Sequence, residues 1–323
     1  SGANMDYICY ASPISEAKDY MEDYLAESEV VYPDEEILKQ FLRSRLPMRL
    51  LADLEAFLQV VDQPIAIRSS SLLEDSHYQP FAGVYSTYMI PYISDKYDRL
   101  SMLSNAIKAV YASVFYRSSK DYMTATSNVI DQEKMAIILQ EVVGKQHDTR
   151  FYPVISGVAR SINYYPIGDE KAEEGTVNLA LGLGKYIVDG GQSLRVSPAH
   201  PNQVLQMSEM EMALRDTQTH FLALDMAKME NGVLDFQKDD GFNLRKWSVR
   251  DAEPDGTLQW ICSTFDPVDQ CIYDGYYEGR NRKIISFAGV LQNGVFPLPE
   301  LMQKVLKYGQ DEMQRPVEIE FAV

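Results

Sequence analysis

The segment Pro316-Val317-Glu318-Ile319-Glu320-Phe321-Ala322-Val323 alternates apolar and polar residues. In a strand that period sends Val317, Ile319, Phe321 and Val323 to one face and Glu318 and Glu320 to the other. Two carboxylates on one side of a sheet can share a hard cation such as Mg²⁺ with nucleotide phosphates. The same alternation equally suits a strand whose charged face meets only water. A second candidate is Ile67-Arg68-Ser69-Ser70-Ser71. An arginine at the end of a buried strand presents a fixed fork of donors that fits phosphate oxygens, and serines add hydroxyl and backbone donors. Such an arginine also pairs readily with a neighbouring carboxylate, here Glu74 or Asp75. In Phe81-Ala82-Gly83 the glycine would let the backbone approach a ligand closely, although it suits an ordinary hairpin or bulge as well.

Other motifs fail on their chemistry. Gly182-Leu183-Gly184-Lys185 is followed by Tyr186 and lacks the earlier glycine, whereas a phosphate loop requires GxxxxGK and then Ser or Thr. The dinucleotide GxGxxG pattern is missing too. His77, His147, His200 and His220 are scattered, with no metal-ligand spacing, and none sits in a Gly-x-Ser-x-Gly context.

These residues need elements to hold them. Residues 16–36 carry nine acidic residues and one lysine and read as a solvated helix and loop. Asp34 is placed to cap a helix running to about Arg45, where Leu46-Pro47 breaks it. Leu50, Leu51, Leu54, Phe57, Leu58 and Val61 form one face of a second helix. Residues 64–67 read as a buried strand that opens at Arg68, and residues 83–90 are β-rich. Leu100, Leu103, Ile107, Val110, Tyr111, Val114 and Phe115 stripe a long helix. Residues 135–143 are mostly apolar and predict a strand buried on both faces. A break at 144–149 precedes a strand over 152–162 and marks a boundary between two lobes, residues 1–143 and 144–323. Further on, a strand is expected over 177–183 and a helix over 205–230. A helix over 299–313 should turn Leu301, Met302, Val305 and Leu306 inward. The mixture of strands and helices places the chain in the α/β or α+β class.

The chain has 323 residues and a net charge of −17, with 46% hydrophobic and 24% charged residues. That is enough chain for a substantial core without disulfide or metal staples. The acidic balance argues against nucleic acid and anionic membranes as partners, because both need clustered positive charge. Three cysteines, Cys9, Cys262 and Cys271, do not make a disulfide framework. No apolar run approaches the roughly 18 residues that would span a bilayer. No basic-then-apolar leader is visible, so the cytoplasm is the expected location.

Taken in order, the motifs resemble a known family. Arg68-Ser69-Ser70-Ser71-Leu72-Leu73-Glu74-Asp75, followed by Phe81-Ala82-Gly83-Val84-Tyr85-Ser86-Thr87-Tyr88, is similar to the ATP-binding domain of phosphoenolpyruvate synthase and pyruvate phosphate dikinase. Ala112-Ser113-Val114-Phe115-Tyr116-Arg117, Leu139-Gln140-Glu141-Val142-Val143, Ser156-Gly157-Val158-Ala159, Leu181-Gly182-Leu183-Gly184 and Pro316-Val317-Glu318-Ile319-Glu320 follow in the family's order. The resemblance covers residues 50–198 and 299–323, with a divergent insert at about 199–298.

The resemblance implies an α+β ATP-grasp, two lobes clasping a nucleotide. It implies that Arg68, also the catalytic candidate, binds ATP phosphates, that the loop Phe81-Ala82-Gly83 covers them, and that Ser69 and Thr87 belong to the ATP-binding set. Gln140, Glu141 and Val143 would line the adenine hinge, and Glu320, with Glu318 beside it, would bind Mg²⁺. The activity implied is phosphoryl transfer from ATP to a histidine on a swivel domain, then to pyruvate on a pyruvate/phosphoenolpyruvate domain. Other dikinase acceptors (water, a glucan, an antibiotic) or a degenerate nucleotide-binding regulatory domain are the alternatives. The family's early Lys-Gly segment, its Gln-x-Arg motif and both partner domains find no match here, which implies a piece of a longer protein. Lys185 stands where the family has an acid. Arg160-Ser161-Ile162-Asn163 replaces the usual Thr-Arg-Asp-Pro, and Glu318 replaces an aspartate.

Overall fold

A computed structural model describes residues 8–10, 32–71, 85–125, 135–229, 236, 241, 243–279 and 281–323. Helices and strands are mixed throughout, as an α+β chain requires. By internal contacts the chain divides into two units. The first comprises residues 1–142 with 226–243, and the second residues 143–225 with 244–323.

The first unit contains β1 (Ile8–Tyr10), α1 (Asp34–Arg43), α2 (Met48–Leu58), β2 (Ile65–Ser71), β3 (Tyr88–Ile90), α3 (Lys96–Ser113), α4 (Arg117–Ala125) and β4 (Met135–Glu141). The strands form one antiparallel sheet in the order β1-β4-β2-β3. Its core gathers Ile65, Ile67, Ile137 and Leu139 from the sheet with Leu103, Ala106, Ile107 and Val110 from α3. The Asp95 carboxylate caps α3 by accepting from the Tyr97 and Asp98 N–H groups, both at 2.9 Å. Arg99 and Lys108 are buried on this helix; Arg99 donates to the Leu58 and Gln63 carbonyls, leaving its Nε without a hydrogen bond among the described residues, and Lys108 donates to the Leu42 carbonyl and to Asn105 Oδ1. Burial lowers the pKa of both.

The second unit contains β5 (Lys145–His147), β6 (Arg150–Tyr152), β7 (Ser156–Arg160), β8 (Thr176–Ala180), α5 (Lys185–Val188), β9 (Leu194–Val196), α6 (Met210–Asp216) and β10 (His220–Asp225). It continues with β11 (Leu244–Ser248), β12 (Cys262–Asp266), β13 (Cys271–Asp274), β14 (Arg282–Ile285), α7 (Ala288–Leu291), α8 (Leu298–Met313) and β15 (Glu318–Ala322). Three sheets result, in the orders β11-β10-β6-β5, β13-β12-β14 and β15-β7-β8-β9. Ala159, Val177, Leu179, Leu194 and Val196 line the core side of the last sheet, and Ile319 and Phe321 pack against it. Gly157 is required where Phe321 crosses β7, because a Cβ there would overlap the Phe321 ring and approach the Asn178 carbonyl to 2.8 Å.

Several expectations change. Pro33, not Asp34, precedes the first helical residue of α1; Asp34 sits in the first turn and accepts from the Arg117 N–H at 2.9 Å. β2 runs through Arg68 to Ser71, because β4 pairs with it along its whole length. Arg68 is therefore in mid-strand rather than at a strand end. β4 is buried on one face only: Met135, Ile137 and Leu139 face the core, while Ala136, Ile138 and Gln140 are half-exposed. The expected strand over 152–162 is two strands in different sheets, β6 and β7, separated at Pro153. The helical pattern over 205–230 holds for α6 and for two short 3₁₀ turns, Leu205–Met207 and Met226–Met229; residues 220–225 instead form β10, whose Phe221, Ala223 and Leu224 are fully buried between β6 and β11. In α8 the buried side chains are Leu298, Pro299, Met302 and Leu306, and Leu301 is exposed.

Candidate functional site

In the first unit the candidate residues lie on β2 and β4. Ala66 is opposite Gln140, and Arg68 is opposite Ile138. Residues directly opposite in an antiparallel pair share a face, and alternate residues do too. Arg68 and Gln140 thus occupy the face turned away from the core, neighbours on adjacent strands. Ser69 is opposite Ile137 and Glu141 opposite Ile65, so both belong to the other face by strand parity. Thr87 is half-buried just before β3. Phe81, Ala82 and Gly83 lie outside the described residues, as do Glu74 and Asp75. The Val142 N–H donates to the Pro64 carbonyl at 2.8 Å, which ends the β2–β4 ladder.

Val143, exposed, opens the second unit. There β15 shows the expected alternation: Ile319 and Phe321 pack on the core, and Glu318, Glu320 and Ala322 are exposed. Register then adds residues that no linear motif reveals. Glu318 is opposite Arg160 on β7, Glu320 opposite Val158, Val158 opposite Asn178 on β8, and Asn178 opposite Arg195 on β9. One sheet face therefore carries Glu318, Glu320, Arg160, Asn178 and Arg195. Arg160 donates from Nε to Glu318 Oε2 at 2.6 Å.

At the β9 end of that face the charges are locked. Arg195 Nη2 donates to Glu170 Oε2 and Asn163 Oδ1, both at 2.8 Å, and to the Tyr165 carbonyl at 3.0 Å. Glu170 Oε2 also accepts from Asn163 Nδ2 at 2.8 Å and from the Ile167 N–H at 3.1 Å. Burial alone would raise the Glu170 carboxyl, but bonds from Arg195, Asn163 and Ile167 hold it below the ordinary carboxylate range. This cluster fixes the connection over 161–175 between β7 and β8.

A second polar cluster joins β6 and β11 to Asp255. Asp255 accepts from Arg150 Nη2 at 2.8 Å and from the Tyr152 hydroxyl at 2.6 Å. Arg150 and Arg245 both stack on Trp247, with guanidinium carbons 5.0 and 4.2 Å from the ring centroid. His147 is half-buried beside Tyr152, and burial lowers its pKa. His200 meets Glu174 at 3.1 Å, and His220 is exposed. The Gly182–Gly184 turn leads into the four-residue α5, where Lys185 pairs with Asp189 at 3.3 Å. Burial pushes the Cys262 thiol up to about 11, so this cysteine is inert at neutral pH.

Among the described residues no group of three or more His, Cys, Asp or Glu is placed to hold a metal, and no helix is long and apolar enough to cross a membrane. The donor chemistry on β15 nevertheless suits a hard cation. The Cα atoms of residues two positions apart in a strand are about 7 Å apart, a span across which two glutamate side chains are long enough to converge. That leaves space for a Mg²⁺ that takes its remaining oxygens from phosphate and water.

Sequence reasoning missed Arg160, Asn178 and Arg195 as members of this face. Their strand periodicity was visible, but their pairing partners were not.

A family model described as pyruvate phosphate dikinase, AMP/ATP-binding domain, matches residues 15–323. No curated protein matches the chain.

Proposed function

The chain belongs to the AMP/ATP-binding domain family of pyruvate phosphate dikinase, and from that premise we propose that it is the Mg-ATP-binding module of a phosphoenolpyruvate synthase-like dikinase. The fold proposed is an ATP-grasp, with lobes over 1–143 and 144–323 and an insert at about 199–298. The observation that carries the reading is β15: Glu318 and Glu320 share an exposed face while Ile319 and Phe321 anchor the strand in the core. Glu320, with Glu318 beside it, would hold Mg²⁺, which supplies Lewis-acid neutralisation of phosphate charge. Arg68 would add a fixed positive charge to the polyphosphate, and a preorganised cation there stabilises the charge that develops in transfer. Gln140, Glu141 and Val143 would hold adenine through main-chain groups. Ser69, Phe81, Ala82, Gly83 and Thr87 complete the proposed ATP contacts.

The phosphoryl group would pass to a histidine on a swivel domain and then to pyruvate on a pyruvate/phosphoenolpyruvate domain. None of His77, His147, His200 and His220 takes that role in this scheme. A second reading, a degenerate regulatory domain that binds nucleotide without transfer, draws on Arg160, which holds Glu318 at 2.6 Å.

Calorimetric titration of Mg-ATP into the wild type and Arg68→Ala tests the site. Weak binding is expected for the wild type, and about tenfold weaker binding for the variant, the value of one charge-assisted contact. Tight binding indifferent to Arg68→Ala overturns the assignment of the phosphate site.

A further inference from the structure

Arg99 is a buried cation that none of the proposed ATP contacts uses. It is the fourth residue of α3 and only 4% exposed. A positive charge is unfavourable near a helix N-terminus, and a buried guanidinium without a bonded carboxylate is more so. Asp62 and Glu141 act on it by charge alone, and its Nε makes no hydrogen bond among the described residues. Its other donors go to two carbonyls. Nη1 donates to Leu58 at 3.3 Å, and Nη2 to Gln63 at 3.4 Å. Leu58 ends α2, and its carbonyl lacks a donor within that helix, so a cation suits it. The Tyr92 ring covers the guanidinium, with its centroid 4.5 Å from the central carbon.

The Gln63 contact leads to the hinge. Pro64 follows Gln63, its carbonyl accepts the Val142 N–H at 2.8 Å, and Ile65 is opposite Glu141. The chain between α2 and β2 is exposed at Gln59, Val60 and Asp62, so burial does little to place it there. We infer that Arg99, through Gln63 and Pro64, sets the position of Glu141 and Val142 and thereby the fit of the adenine base. It is a positioning residue, and the inference rests on the reading of Gln140, Glu141 and Val143 as the adenine hinge. The phosphates are outside its reach, because Arg68 lies three residues beyond Ile65 on β2, about 10 Å away along the strand.

Two measurements on the full chain test it. Hydrogen–deuterium exchange needs no ligand. In Arg99→Met, peptides covering 140–143 should exchange about tenfold faster, because a charge-assisted bond that holds Gln63 is lost, while peptides within 135–139 stay unchanged. Arg99→Lys keeps the charge without the fork and should show a smaller increase. It carries the same criterion if Arg99→Met does not fold. Calorimetric titration then reads the base. Mg-ATP should bind the wild type more tightly than Mg-GTP, and Arg99→Met should lose about tenfold in Mg-ATP affinity with little change for Mg-GTP. Unchanged exchange at 140–143 in both variants overturns the inference. So does faster exchange spread evenly over 135–143, which makes Arg99 a support of the whole sheet. So does unchanged Mg-ATP affinity, or an equal loss for both nucleotides. In each of these cases a wild type that prefers Mg-ATP keeps the adenine reading, and the inference alone falls. If the wild type binds neither nucleotide, or both equally, the adenine reading falls and takes the inference with it.

Discussion

Two arginine–glutamate pairs stand at opposite ends of one sheet face, and they differ in nearly everything except chemistry. At β9, Glu170 has a side chain only 1% exposed, and its Oε2 takes bonds from Arg195, Asn163 and a backbone N–H. At β15, Glu318 is more than half exposed and meets Arg160 through one nitrogen. The buried pair cannot exchange without leaving charge in a low-dielectric setting, so it serves the loop over 161–175. The exposed pair loses little when it opens, so it is the end of the face that can meet a ligand. Burial, not residue type, divides structural charge from exchangeable charge here.

The sharpest way to break that contrast is to remove Glu170. Glu170→Ala leaves Arg195 and Asn163 partly unpaired, and should lower unfolding stability by about 3 kcal/mol in a urea titration. A loss below about 1 kcal/mol would mean that the two ends of the face are energetically alike.

The pH dependence follows from the same bonds. The folded-state pKa of Glu170 is depressed, so its contribution is fully present above the ordinary carboxylate pKa. That contribution is lost as pH falls through the lowered folded value. Thermal unfolding of the wild type should therefore steepen with acidification below the ordinary carboxylate range, and Glu170→Gln should flatten that limb. Parallel profiles for the two proteins would remove Glu170 from the account.

The smallest effect belongs to the exposed end. Glu318→Gln should change stability by less than about 1 kcal/mol, and added salt should shrink the difference further. A larger cost, insensitive to salt, would make Glu318 as structural as Glu170.

What could be read along the chain was local. The alternation from Val317 to Val323 correctly put Glu318 and Glu320 on one face, since a strand's period is a property of adjacent residues. The stripe from Leu100 to Phe115 found α3 for the same reason, although the helix ends at Ser113, before its last two residues. Arg68 was found as a residue but misplaced as a strand end: the strand was expected to open there into three serines, yet full pairing with β4 carries β2 through them. β10 was mistaken for helix because apolar residues in a short run fit either period, and burial between two strands decided it.

The sequence by itself determined which residue types were available, that the chain carries a net charge of −17, and that Glu318 and Glu320 would lie together on one strand face. Only the tertiary structure decided that Arg160 stands against Glu318, 158 residues away in sequence. It alone separated the locked carboxylate from the exchangeable one. The physical reason is range. Side-chain alternation follows from backbone geometry within a few residues. Cross-strand register and burial emerge only when distant segments pack on a common core.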